Sequence, residues 1–344
     1  MTCSRPVLDV GTGAQVSIGG VPWYAEQGQI VYAHDWNGDP FFNFGGRRYL
    51  YIGSVSAPAK FFIVEDCAQP AAAATPPAPS LQQIAGDTYV YQHTGYTTFF
   101  VVTNEGVIVG DPMGGSRSAA LKAAIASVTS QPVRYMVYSH HDADHNTGGG
   151  VFRDTATFVA HANAVQPIAS RNDPNSPVPT MTFQDRMTLR LGHAELDLQY
   201  LGLNHSESTI VVRYPAIRMA WMVDIVPTNS VIFGPRMDGD YVKEWIETLR
   251  RVEAMDFDLL VPGHGAPGPK AWATWIREYM QDLIRAIEAA ERRGHEARSP
   301  GMYDFVRAQL FGKYGSWDNF GPRIPVNVNG MHDNWAKFGR FSVN

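Results

Sequence analysis

An apolar run from Val133 to Tyr138 stops at Ser139 and leads directly into His140-His141-Asp142-Ala143-Asp144-His145, followed by Asn146-Thr147-Gly148-Gly149. Three histidines and two aspartates in six consecutive positions constrain the fold more than any other stretch of the chain. The apolar run reads as a buried strand, and a strand end lets side chains converge on a cavity without disturbing the ladder. Imidazole and carboxylate are the groups that hold Zn, Fe or Mn. The glycines that follow allow a sharp turn into a new element. An isolated His-Asp pair would read as a solvated loop, whereas five candidate ligands in six positions read as a metal site.

Three more candidates lie downstream in similar settings. His205 precedes the apolar run Thr209 to Val212. Asp224 ends the apolar run Met219 to Val223, where a buried unpaired charge would be costly and a bound cation would remove that cost. His264 sits between Gly263 and Gly265 after Leu259-Leu260-Val261-Pro262. Taken singly, each reads as structural about as readily as it reads as a ligand. It is their joint occurrence that carries the reading.

The periodicity predicts alternating strands and helices, an α/β chain. Strands are expected at 88–92, 97–103, 106–111, 133–138, 157–160, 196–201, 209–214 and 219–223. Helices are expected at 116–130, 241–255 and 269–293, the last stopping at Gly294. The helix at 241–255 carries Val242, Trp245, Ile246, Leu249 and Val252 at helical spacing. Residues 1–68 read as a β-rich extension, with alternating runs such as Gln29-Ile30-Val31-Tyr32 and Arg48-Tyr49-Leu50-Tyr51-Ile52. Residues 69–83 are a Pro/Ala linker with little to bury. Residues 84–344 form the catalytic domain, which ends in a helical and aromatic tail. Cys3 and Cys67 bracket the extension; they read equally as a disulfide outside the cytosol or as two thiols.

The order of these motifs resembles the metallo-β-lactamase superfamily over roughly residues 84–283. The family motif is His-x-His-x-Asp-His after a strand, then a lone His, an Asp ending a strand, and a His between glycines. Asn104 to Asp111 is similar to the family's early hairpin, whose Asp packs under the metal loop. Phe158-Val159-Ala160-His161 is similar to its next strand, where the His is not a ligand. The resemblance implies a four-layer αββα sandwich. It also implies two metal sites, one of His140, Asp142 and His205 and one of Asp144, His145 and His264, with Asp224 bridging. One position departs from the family, since Asp142 stands where the second motif His belongs and His141 falls on a spacer. Three carboxylates and one hydroxide would neutralise two divalent cations. Two Zn ions are the first expectation, and the extra hard oxygen ligand opens the site to Fe or Mn.

A bound divalent cation brings the pKa of water down to about 7, so a hydrolase using a metal-bound hydroxide is expected. The bond would be that of an ester, lactone, thioester or amide, β-lactams included. Asp144 is expected to orient the hydroxide, and His141 to serve as an additional acid or base. Two alternatives are an iron-dependent oxidoreductase, similar to flavodiiron or persulfide dioxygenase proteins, and an inactive or phosphodiester-acting member. The net charge of −5 argues against a nucleic-acid partner. No run is long and apolar enough for a membrane helix. No signal peptide is legible at Met1 to Arg5, and the expectation is a soluble cytoplasmic or periplasmic protein. The apolar stripe of the long helix reads as core or as a dimer face, which makes a homodimer a further expectation. Met113, Trp221, Ile232-Phe233 and the tail from Trp317 to Trp335 suggest an apolar pocket, hence a small uncharged or acyl-type substrate.

Overall fold

The computed structural model describes residues 78–232, Met237, residues 241–341 and Val343, together with short backbone strands between Arg5 and Val64. The chain divides into two compact units, Met1–Pro76 and Pro77–Asn344. The first contains a four-stranded antiparallel sheet in the order Leu8–Asp9, Phe61–Val64, Arg47–Ile52, Phe41–Phe44, and two small strand pairs. The run Arg48 to Ile52 thus lies in a strand. Gln29 to Tyr32, Cys3, Cys67 and Phe233 lie outside the described residues.

The second unit carries the candidate site. Its first sheet is built from β1 (Ser80–Ala85), β2 (Thr88–His93), β3 (Tyr96–Thr103), β4 (Gly106–Val109), β5 (Val133–Val137), β6 (Thr157–His161) and β7 (Met181–Phe183), side by side in sequence order. The strand β1 begins inside the stretch that composition assigns to the linker. Pairing is antiparallel from β1 to β4 and parallel from β4 to β7. Helix α1 (Arg117–Val128) connects β4 to β5. A one-turn helix, α2 (Ala143–Asn146), follows β5, and α3 (Val165–Ser170) follows β6.

The second sheet runs β8 (Arg186–Leu191), β9 (Ala194–Tyr200), β10 (Ile210–Tyr214), β11 (Met219–Met222), β12 (Leu259–Pro262) and β13 (Gly268–Pro269), again in order, with β11 and β12 parallel. Helix α4 (Val242–Glu253) joins β11 to β12, and α5 (Ala271–Arg292), α6 (Pro300–Tyr314) and α7 (Phe320–Phe338) follow.

The layering follows from side-chain alternation. In β3, Phe99 and Val101 face the second sheet while Phe100 packs toward α1. In β4, Ile108 points inward and Val107 and Val109 outward. Strands apolar on both faces must be covered on both. Between the sheets, Phe99, Ile108 and Val137 meet Leu198, Val212 and Trp221, the last fully buried with its ring 5.2 Å from that of Phe99. Outside the first sheet, Leu121 and Ile125 of α1 cover Val107, Val109 and Met136. Outside the second, Trp245, Ile246 and Leu249 of α4 and the apolar stripe of α5 cover Ala220, Met222 and Leu260. The result is an αββα sandwich of two mixed sheets with flanking helices.

Helix α5 stops where expected, with Gly294 in a left-handed conformation at φ +82°. The tail from Trp317 to Trp335 corrects the pocket expectation. It forms most of α7, whose Phe320, Ile324, Val328 and Met331 pack into the core outside the second sheet. Met113, Trp221 and Ile232 are likewise sealed in the core, so the compositional argument for an apolar pocket falls. None of the helices among the described residues is long and apolar enough to cross a membrane.

Candidate metal centre

Strand ends from both sheets meet at one edge of the sandwich. β5 delivers Ser139 and His140, and the Ile210 amide of β10 donates to the Ser139 carbonyl at 2.9 Å, which draws the loop toward the second sheet. The parallel register pairs Trp221 with Val261 and Met222 with Pro262, so the residues that follow, Asp224 and His264, emerge together. Asp224 sits in the left-handed region at φ +59°, a conformation that Asp tolerates better than most residues. His264 is tied back to the first sheet by its bridge to Tyr96 and by the Thr97 amide donating to the Gly263 carbonyl at 2.8 Å.

All seven side chains expected as ligands converge. Asp142 Oδ2 lies 3.5 Å from His140 Nε2 and 3.4 Å from His205 Nε2. Asp144 Oδ2 lies 3.4 Å from His145 Nε2, which is 3.1 Å from His264 Nε2. Asp224 stands between the two groups. Its Oδ2 is 3.4 Å from His145 Nε2, 3.7 Å from His205 Nε2 and 3.9 Å from His140 Nε2, and its Oδ1 is 3.3 Å from His264 Nε2. Candidate donor atoms lie within 4.8 Å of one another in three groups: His140, Asp142 and His205; His140, His145 and Asp224; and Asp144, His145 and His264. His141 belongs to none of these groups. Its Nε2 is 3.6 Å from Asp142 Oδ1, and its Nδ1 meets Ser208 Oγ at 2.8 Å.

A layer behind the donors fixes their orientation. Buried Asp111 accepts from the Ser139 amide at 2.8 Å and from Ser139 Oγ at 2.5 Å, and its Oδ2 is 3.3 Å from His145 Nδ1. Ser139 Oγ in turn lies 2.8 Å from His140 Nδ1. Arg171 donates to the His141 carbonyl and to Asn146 Oδ1, both at 2.6 Å, and Asn146 Nδ2 donates to the Asp142 carbonyl at 2.7 Å. His161, set apart from the ligands by the resemblance, donates through Nε2 to the Gln184 carbonyl at 2.6 Å and stacks on Tyr200 at 4.0 Å.

Charge is concentrated here. Burial pushes the His140 and His264 imidazoles below their ordinary range. Burial opposes a charge on His145 too, but Asp224 and Asp111 more than reverse it and raise that ring well above its ordinary value. Burial likewise opposes the charged forms of Asp142 and Asp224. The neighbouring imidazoles, His140 and His205 for Asp142 and mainly His145 and His264 for Asp224, hold both carboxyls below the usual range. Buried His140 Nε2 has no hydrogen-bond partner among the described residues, although it faces the cluster. A nitrogen lone pair aimed into a pocket of carboxylates and imidazoles fits a divalent cation of the Zn, Fe or Mn type.

Two residues that sequence reading missed complete the rim. The Tyr96 hydroxyl donates to Asp144 Oδ2 at 3.2 Å, and the Arg117 guanidinium lies 3.9 Å from the centre of the Tyr96 ring. Tyr96 sits in a strand and Arg117 on a helix, far from the metal motifs in sequence, so no local pattern marks them.

The sequence profile of the metallo-beta-lactamase superfamily matches residues 93–264, half of the 344-residue chain. Among curated proteins, the chain is 26% identical over 215 residues to the 2,4-dinitroanisole O-demethylase subunit alpha of Nocardioides sp. (strain JS1661), covering 60% of this chain and 62% of that protein. The match thus spans about three fifths of that relative's length. The chain is also 21% identical over 201 residues to a metallo-beta-lactamase type 2 of Elizabethkingia meningoseptica, covering 55% of this chain and 79% of that one. Among solved structures, a metallo-beta-lactamase from Pontibacter korlensis superposes with a TM-score of 0.53 at 19% identity, covering 59% of this chain and 99% of that chain.

Proposed function

The chain belongs to the metallo-beta-lactamase superfamily, and on that premise we propose that it is a metal-dependent hydrolase that cleaves an ester, lactone, thioester or amide bond. The observation that carries the reading is the convergence of His140, Asp142 and His205 and of Asp144, His145 and His264 on the shared carboxylate Asp224. Two bound divalent cations would supply activated water at neutral pH and polarise the electrophile.

The chain's own residues supply the rest. The histidines His140 and His205 are buried, whereas the side chains of Asp142, Asp144 and His264 are 24%, 36% and 20% exposed, so the cluster opens to solvent on the carboxylate side. A substrate carbonyl would enter from that side. Water oxygen would bond to the acyl carbon, the bond to the leaving group would break, and the water proton would pass to the leaving group. Asp144, at the open edge, would orient the water. His141 backs Asp142 through its Nε2 and is the nearby partly exposed imidazole able to move a proton.

A metal-defined protein assayed against esters, lactones, thioesters and β-lactams is expected to hydrolyse at least one class and to lose that activity on chelation. An aryl methyl ether belongs in the panel, because the Nocardioides relative is named an O-demethylase subunit. Turnover of the ether alone would replace the acyl reading with ether cleavage. A second reading is iron-dependent redox chemistry, favoured by the fact that both triads pair two imidazoles with one carboxylate. Iron in the purified protein with dioxygen consumption, and no hydrolysis in the panel, would establish it in place of the first.

A further inference from the structure

Both donor triads present the same chemistry, two imidazoles and one carboxylate, with Asp224 shared. Their surroundings differ. Tyr96 touches every member of one triad. Its hydroxyl donates to Asp144 Oδ2 at 3.2 Å, its ring centre lies 4.4 Å from that of His264, and it lies 5.5 Å from that of His145. The backbone holds it there. Tyr96 bridges to His264, the Thr97 amide donates to the Gly263 carbonyl, and the Gly265 amide donates to the Gly95 carbonyl at 3.3 Å. Gln92 Nε2 also donates to the Gly265 carbonyl, at 2.9 Å. On its other side the ring is backed by Arg117, whose Nε donates to the Met113 carbonyl at 2.5 Å and whose Nη1 reaches Thr94 Oγ1 at 3.4 Å. The phenol therefore has little freedom, and neither has the carboxylate it donates to.

We infer that Tyr96, backed by Arg117, is a positioning residue for the triad of Asp144, His145 and His264, and that it sets the affinity of that site for its ion independently of the triad of His140, Asp142 and His205. The inference rests on the metal reading above. A carboxylate ligand gains affinity when a hydrogen bond fixes its rotation, and removing such outer partners costs about 10–100-fold in metal affinity. Tyr96→Phe deletes the hydrogen bond and keeps the ring against His264.

Calorimetric titration of the metal-stripped full-length chain with Zn(II) tests this, with Co(II) absorption spectra as a second readout. The wild type is expected to take up two ions. Tyr96→Phe should weaken one of them by about 10–100-fold and leave the other unchanged. Asp142→Ala removes the carboxylate of the other triad, so its remaining ion reports on the Tyr96 side. Adding Tyr96→Phe to that variant should weaken that remaining ion by the same factor. Thermal melting of the metal-free proteins checks that the variants fold alike. Zn(II) uptake unaffected by Tyr96→Phe in folded protein overturns the inference and leaves the metal reading standing. Failure of the wild type to take up any ion overturns both.

Discussion

Gly263 lacks a side chain because the site leaves no room for one. A Cβ there would lie 2.5 Å from Val223 Cγ1 and 3.2 Å from His145 Cε1. Gly263→Ala must therefore push Val223 into the core or His145 out of line with Asp224. Overpacking of this kind costs about 1–3 kcal/mol. Urea denaturation of the metal-free variant should show that loss, and elemental analysis should show reduced metal content; wild-type values in both would mean that the loop shifts freely. At this scale the histidines and aspartates that converge were legible, because imidazoles and carboxylates clustered at strand ends have few cheap explanations. The outer layer was only partly legible. Asp111 was marked by the resemblance, while Tyr96, Arg117 and Ser208 look like ordinary strand, helix and loop residues until the fold brings them to the cluster.

Strands and helices with strong periodicity were read closely. Helix α4 buries the five residues its spacing picked out, Val242, Trp245, Ile246, Leu249 and Val252. The expected strand ends agree with the observed ones to within a residue or two, as at β5 and β11. Not every element was read. Strand β8 at the sheet edge was missed although Arg186-Met187-Thr188-Leu189-Arg190-Leu191 alternates polar and apolar residues, with Leu189 buried and Met187 and Leu191 packed against the core between the sheets. The tail was expected to be helical, but the bounds of α7 were not legible, because Gly321, Pro322, Pro325 and Gly330 within it signal loops, and its Phe320, Ile324, Val328 and Met331 pack into the core. Its role is concrete. Asn327 is fully buried, accepts from the Tyr279 hydroxyl at 2.6 Å and donates to the Ile232 carbonyl at 3.1 Å. Asn229 and Ser230 on the same segment hydrogen-bond to Asp318 just before the helix. Asn327→Ala would leave a buried hydroxyl and a carbonyl without that partner, at a cost of about 1–3 kcal/mol for each group. Chemical denaturation is the check, and a loss under about 0.5 kcal/mol would mean that water replaces the amide.

At the scale of the whole molecule, the cluster of carboxylates and imidazoles couples metal binding to folding. A cation bound only by the folded chain stabilises it by about 2.7 kcal/mol when free metal exceeds Kd 100-fold. Chelation should therefore lower the melting temperature. The histidine ligands must be deprotonated to bind metal, so the gap between loaded and stripped protein should narrow as pH falls toward and below the histidine range. Scanning calorimetry with and without chelator at pH 8 and pH 5.5 measures both effects; equal melting temperatures at pH 8 would count against a bound ion.

The sequence alone determined the α/β alternation, the principal strands and helices, and which side chains are candidates to hold a metal, because those depend on local composition and on periods of two and 3.6 residues. The tertiary structure decided which strand ends share an edge, that α7 and the tail aromatics serve the core, and that Tyr96 lies against Asp144. Those outcomes depend on register and packing between segments far apart in the chain, and no local window contains that information.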